Sequence, residues 1–228
     1  SKDEGRDYRQ VAMIDKNGSV SAYTGKKCIE SASHYIGENF SVQANMMLND
    51  MVVPAMKEAF IKNATLTLAE RIIKVFEAAE SVGGDIRGRQ SAALIVVGPE
   101  KTKNSWEDKK IDLRVDDSEN PVKEIKRLLK VYRAYEHMNK GDLAIEKNDM
   151  DLALKEYSLA QDLFPENIEM SFWKAIALIN NEEANQAKPI LIKVFEKDSN
   201  WRKLILRLPS SGLISLSKEN LETFLNSF

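Results

Sequence analysis

The sequence predicts an α+β protein whose mixed first part is followed by an all-α second part. Short β-rich runs alternate with helical patterns before Pro121, and every pattern after Pro121 is helical. A repeat of about 34 residues recurs within the second part. With 228 residues, the chain has room for one large or two small domains. We therefore predict a first domain over 1–120 and a helical domain over 121–228.

The first predicted element is a β-hairpin over 8–24. The run from Arg9 to Asp15 has a strand-like pattern, and Ser19–Thr24 supplies a returning strand. Asn17-Gly18 lies between them, and both residues tolerate the positive φ of a tight hairpin turn. Phe40–Gln43 is a shorter strand candidate.

Two helices are predicted after this strand. Apolar residues at helical spacing predict a helix over about 46–62. The run Thr67-Leu68-Ala69-Glu70 has the capping-box pattern and predicts the start of a second helix. Gly83-Gly84 ends that helix, because glycine readily adopts the conformation that follows a helix C-terminus.

Two further strands precede the helical part. Ser91–Val97 is a nearly continuous apolar run, which is typical of a strand covered on both faces. The run 111–115 alternates apolar and charged residues, which predicts a strand with one polar face. Gly98–Lys110 forms a polar loop between them. Pro121 suits the first position of a long amphipathic helix.

The second part contains a repeat of small and bulky residues at fixed offsets. Gly141, Ala153, Tyr157 and Ala160 are matched 34 residues later by Ala175, Ala187, Leu191 and Val194. Small residues at such offsets lie where paired helices touch, as in the tetratricopeptide repeat. We predict repeats over about 134–167 and 168–201, with a cap over 202–228.

Composition excludes several classes of function. The chain has 33 basic and 35 acidic residues and a net charge of -2, so we expect no nucleic-acid and no membrane partner. One cysteine and two histidines give no disulfide framework and no usual zinc ligand set. We expect no metal and no cofactor.

No apolar run reaches the roughly 18 residues of a membrane span, and we expect a cytoplasmic protein.

The loop 83–91 has the residues of a binding site. Its three glycines let the backbone approach a ligand closely, and Arg87, Arg89 and Gln90 can bind a carboxylate or phosphate. The alternative is an ordinary helix-to-strand turn whose arginines pair with nearby acids.

Two other groups of residues have weaker claims. Asp112, Asp116 and Asp117 could form a divalent-cation site, but a polar strand face followed by an acidic helix start accounts for them better. Cys28 and His34 could form a nucleophilic pair, but a lone cysteine is more often a small buried apolar residue.

Several runs together resemble a known family. The chain is similar to the family catalogued as domain of unknown function 1028, which is itself similar to N-terminal-nucleophile (Ntn) hydrolases. The resemblance covers about residues 6–130, and Ala44 departs from it because the family usually has glycine there. The matching runs are Arg9-Gln10-Val11, Thr24-Gly25, 33–37, 43–46, 68–71, Gly83-Gly84-Asp85, the highly specific 87–94, and 112–117.

The resemblance implies a partial αββα sandwich over 1–120. For a hydrolase built on it, we expect Asp85, Arg87, Arg89 and Gln90 to bind and orient a substrate carboxylate or carbonyl. The supporting residues would be Thr24, His34, Asn45, Asp116 and Asp117.

The resemblance also implies that the family domain begins with roughly a further third, which contains the first strands and the nucleophile. The catalytic nucleophile is then expected outside this chain. Ser1 is of the nucleophile type, but the polar run after it favours a cut end or a cloning remnant.

Two functions follow from these expectations. The first is an Ntn-like amidohydrolase that cleaves amide bonds of peptide or cell-wall material, with the repeats binding a protein or peptide partner. The alternative is a non-catalytic interaction scaffold built on the same sandwich. In both cases we expect the first domain to associate with the missing N-terminal segment or to form a homo-oligomer.

Overall fold

A computed structural model describes residues 2–228 and shows a mixed α+β chain. Small antiparallel sheets are followed by a helical C-terminal region. The chain divides into two compact units between Leu129 and Lys130. We call them the first unit and the helical unit.

The first unit opens with two hairpins. β1 (Gln10–Ile14) pairs antiparallel with β2 (Val20–Thr24), which confirms the hairpin predicted over 8–24. The Asp15 carboxylate accepts the backbone N–H groups of Asn17 and Ser19, each at 2.8 Å, and so closes the turn. β3 (Ser33–Gly37) pairs with β4 (Phe40–Ala44) in the second hairpin. The sequence predicted β4 but missed β3.

The first helix is shorter than the sequence predicts. α1 (Val52–Lys62) begins six residues after the predicted start at 46. Met46 has a φ of 63°, which a helix does not allow. The backbone of this segment bonds elsewhere, because Leu48 donates to the Gly84 carbonyl at 2.9 Å and Ile86 donates to the Met46 carbonyl at 3.2 Å. α2 (Leu68–Ser81) lies where predicted.

A third sheet completes the strands of the first unit. β5 (Ala92–Val97) pairs antiparallel with β6 (Lys109–Val115), and α3 (Ser105–Asp108) forms one turn between them. The prediction that β5 is covered on both faces is wrong. Leu94 is buried, whereas Ile95 is 44% and Val97 62% exposed. Ile95 and Val97 lie on the face of β5 opposite Leu94, because side chains alternate along a strand, and this second face is open to solvent.

The helical unit consists of helix pairs joined by short turns. α4 (Pro121–Glu146) begins at the predicted proline and crosses the division between the units. It is followed by α5 (Met150–Leu163), α6 (Ile168–Asn180) and α7 (Ala184–Lys197), and then by the short helices α8 (Asn200–Ile205), α9 (Leu208–Ser211) and α10 (Lys218–Leu225). Asp149 caps α5 and Asn167 caps α6, since each side chain accepts a backbone N–H of the first turn.

The residues that recur at 34-residue offsets are all buried. Ala153, Ala160, Ala175 and Ala187 have no exposed surface, as expected where two helices touch. Gly141 allows α5 to approach α4 closely, because a Cβ atom there would lie 2.5 Å from Cε1 of Tyr157. Small residues therefore set the spacing between α4 and α5.

The Tyr157 hydroxyl joins α5 to α4. It donates to Oδ1 of Asp142 at 2.7 Å. Burial, together with this carboxylate, raises the pKa of Tyr157 well above its usual 10.0. A tyrosine with a raised folded pKa stabilises the fold below its unfolded pKa, and this stabilisation is lost as the pH rises further.

We therefore expect the free energy of unfolding to fall as the pH rises above 10.0, and to fall less steeply in Tyr157→Phe. At neutral pH this variant should lose about 1–2 kcal/mol with the hydrogen bond. Urea denaturation between pH 7 and 11 measures both effects. An equal slope in the two proteins would contradict the prediction, and Tyr23→Phe is the control for an exposed tyrosine.

No helix in residues 2–228 combines the length and the apolar character needed to cross a membrane.

Candidate functional site

The loop 83–91, which we call the glycine–arginine loop, lies at the C-terminal end of α2. Gly83 and Gly84 turn the chain with φ values of 117° and 61°. The segment 46–49 holds the loop in place, because Met47 and Asp85 form a β-bridge and the Asn49 side chain donates to the Val82 carbonyl at 2.7 Å. Two runs that are distant in the sequence thus form one turn structure.

A cavity of about 550 Å³ lies against this loop. It brings together all four predicted ligand-binding residues and one predicted supporting residue, Asp117. Its wall consists of Glu80, Gly83, Gly84, Asp85, Arg87, Gly88, Arg89, Gln90, Ser91, Asp117, Pro121 and Val122. The cavity is mainly polar, with two cations and three carboxylates.

Arg87 forms a two-pronged pair with Asp85. Its Nε donates to Oδ1 at 2.9 Å and its Nη2 to Oδ2 at 2.6 Å, while its backbone N–H also donates to Oδ1. The guanidinium holds the pKa of Asp85 below its usual range, and the carboxylate raises the pKa of Arg87. The Arg87 side chain is nevertheless 68% exposed, so it can also contact a ligand.

Arg89 joins the end of α2 to the start of α4. Its Nε lies 3.4 Å from Oε1 of Glu80, and its Nη1 donates to the Asn120 side chain at 3.3 Å. The side chain is 52% exposed. Glu80 was not a predicted site residue, because its role depends on the turn that brings Arg89 back against α2.

Thr24 and His34 form a second group where the two hairpins meet. Thr24 Oγ1 and His34 Nδ1 are hydrogen-bonded at 2.7 Å. The Gln10 amide donates to Thr24 Oγ1 at 3.0 Å and to the carbonyls of Ser33 and Ala44 at 3.2 and 3.0 Å. Gln10 therefore links four strands, a role that the sequence analysis did not assign to it.

A cavity of about 420 Å³ adjoins this pair. It is lined in part by Thr24, Cys28, His34 and Asp50. The Cys28 thiol donates to the Arg9 carbonyl at 3.5 Å, whereas the His34 ring is hydrogen-bonded to the Thr24 hydroxyl.

The remaining predicted residues line neither cavity. Asn45 directly follows β4 and is half-buried. Asp116 directly follows β6 and is exposed. Asp112 accepts hydrogen bonds from Lys109 and Arg114. Within residues 2–228, no three histidine, cysteine or acidic side chains are grouped so that they could hold a metal ion.

A family model described as "Family of unknown function (DUF1028)" matches residues 1–125. The chain belongs to the DUF1028 family. A solved structure of a protein from Silicibacter pomeroyi, which carries the same family model, is 30% identical over 57% of this chain, with a TM-score of 0.49. The match spans 52% of that protein's length. A comparison with curated proteins found no match.

The two cavities both lie within the DUF1028 region. Three of the runs that resemble the family, 43–46, Gly83-Gly84-Asp85 and 87–94, meet around the glycine–arginine loop, since Met46 bonds to Ile86 and Arg87 bonds to Asp85. Three other runs supply Gln10, Thr24 and His34. The runs that resemble the family thus converge on two polar sites.

Proposed function

We propose that the DUF1028 region is part of an Ntn-hydrolase-like sandwich that hydrolyses amide bonds of peptide or cell-wall material. The observation that carries this proposal is the polar cavity at the glycine–arginine loop, which gathers Asp85, Arg87, Arg89, Gln90 and Asp117. Loops on rigid elements commonly bind substrates.

The charges of this cavity suit a peptide with free ends. A guanidinium of Arg87 or Arg89 pairs with a substrate carboxylate, and the exposed carboxylate of Asp117 pairs with an ammonium group. The Gln90 amide can bond a substrate carbonyl or N–H. In this proposal the cavity orients the substrate, while the nucleophile that attacks the amide carbon comes from outside the chain.

Replacing Arg87 and Arg89 together with alanine should weaken peptide binding about three- to tenfold, because two exposed charged donors are lost. Exposed substitutions of this kind should shift the melting temperature by no more than about 2 °C. Calorimetric titration with trialanine, a peptide with free ammonium and carboxylate ends, measures the affinity.

The matched control is Arg114→Ala, which removes an exposed arginine that pairs with Asp112 outside the cavity. It should leave the affinity for trialanine unchanged. A large fall in melting temperature, or an unchanged affinity in the double variant, would show that the arginines serve only to hold the loop.

The second candidate function is binding of a protein or peptide partner by the helical unit, with the sandwich as a scaffold. It is supported by the buried residues at 34-residue offsets, which favour a tetratricopeptide-like stack. The coding sequence immediately upstream of Ser1 discriminates the two candidates. A strand-forming segment led by threonine, serine or cysteine would support the hydrolase, and its absence would leave the scaffold.

A further inference from the structure

A groove of about 350 Å³ opens on the helical unit. It is lined by residues of α4, α5 and α6 together with Leu213, all of which lie within Lys130–Phe228. We call it the helical groove. Its surface is mainly apolar, and Trp173, Ile176 and Met138 are among the side chains that form it.

All the charged residues of the helical groove are acidic. Asp142, Glu146 and Glu169 line it, and among the described residues 2–228 no lysine, arginine or histidine does. Basic residues are nearly as common as acidic ones in Lys130–Phe228 as a whole. The absence of cations is therefore a property of the groove and does not reflect the composition of the unit.

Tyrosine hydroxyl groups fix two of these carboxylates in place. Tyr135 donates to Oε2 of Glu169 at 2.6 Å, and Tyr157 donates to Oδ1 of Asp142 at 2.7 Å. A carboxylate accepts more than one hydrogen bond, so each can still bind a ligand cation. Glu146 is exposed and adds a third negative charge.

We infer that the helical groove binds a partner segment in which lysine or arginine residues alternate with aliphatic residues. The inference rests on the proposed partner-binding role of the helical unit and adds the chemistry of the partner. Lysine and arginine have long apolar stems and charged ends, so their stems can pack on Trp173 and Tyr135 while their ends reach the carboxylates. Acidic or phosphorylated segments are disfavoured, because three like charges would face them.

The test uses the full chain and three labelled peptides, Ac-AKLAKLAKLA-amide and its glutamate and glutamine counterparts. Fluorescence anisotropy should show that the lysine peptide binds at least tenfold more tightly than the glutamate peptide. Its affinity should fall when sodium chloride is raised from 50 to 500 mM, because salt screens exposed charge pairs.

Groove variants then locate the binding. Glu146→Gln with Glu169→Gln should weaken binding of the lysine peptide about four- to twenty-five-fold, since each exposed ion pair contributes about two- to fivefold. Glu222→Gln removes an exposed carboxylate outside the groove and should have no effect. Circular dichroism verifies that each variant is folded.

The outcomes separate the two proposals. If the glutamate or glutamine peptide binds as tightly as the lysine peptide, or if the double variant binds unchanged, the inferred cation preference is overturned while partner binding stands. If none of the three peptides binds, the proposed partner-binding role of the groove is overturned as well.

Discussion

Gly83→Ala should destabilise the first unit by about 2 kcal/mol and weaken the peptide binding that we propose for the glycine–arginine loop. Gly83 has a φ of 117°, a conformation that side chains with a Cβ atom rarely adopt and that costs about 1–3 kcal/mol. An added Cβ atom would also lie 2.6 Å from Cδ2 of Leu48. The Leu48 side-chain end can rotate away, but its Cβ atom would lie only 3.2 Å from the added atom, and it is fixed to the segment whose backbone bonds to Gly84, so the closer contact would shift the loop.

Gly88→Ala is the matched control for this variant. Gly88 also has a positive φ, 102°, but an added Cβ atom would have no neighbour within 4 Å. Urea denaturation should therefore show a smaller loss for Gly88→Ala, and adding Leu48→Ala to Gly83→Ala should recover only part of the difference, because alanine keeps the Cβ atom that lies 3.2 Å from the added one. Equal stability of Gly83→Ala and the parent protein would contradict this account of the turn.

The sequence was most informative where a signal is local. Asn17-Gly18 predicted the first hairpin, and Pro121 predicted the start of α4, because each depends on the backbone preferences of one or two residues. The offsets of Gly141 and Ala175 predicted buried contacts between helices. These features could be recognised without knowing which distant segments meet.

The missed features depend on contacts between distant segments. β3 is a short strand whose pairing with β4 decides its structure, and the helix predicted from 46 is replaced by a turn bonded to Gly84 and Ile86. The same reason applies to the site. Gln10 bonds to carbonyls 23 and 34 residues away, which no local pattern of residues specifies.

The open faces of the small sheets lead to a second prediction with a large effect. Each sheet in the described residues has two strands, and isolated two-stranded sheets are at best marginally stable in water. On β1 and β2, the side chains of Val11, Met13 and Tyr23 are exposed on one face, and Val11 lies directly opposite Tyr23. On β5, Ile95 and Val97 are exposed in the same way. Exposed apolar side chains grouped on one sheet face are typical of surfaces that bind a partner.

We therefore expect this chain to self-associate through its first unit at micromolar concentration. Sedimentation equilibrium should give a mass of about twice 25.8 kDa or more. Met13 is 71% exposed, so Met13→Lys would cost a monomer little stability, but it would place a charge in an apolar interface and should shift the protein toward the monomer. Leu152→Lys changes an exposed leucine of the helical unit and should leave the association intact, because the predicted interface lies on the first unit. A cooperatively folded monomer would show that the first unit closes its own core, and the partial-sandwich interpretation would then have to be abandoned.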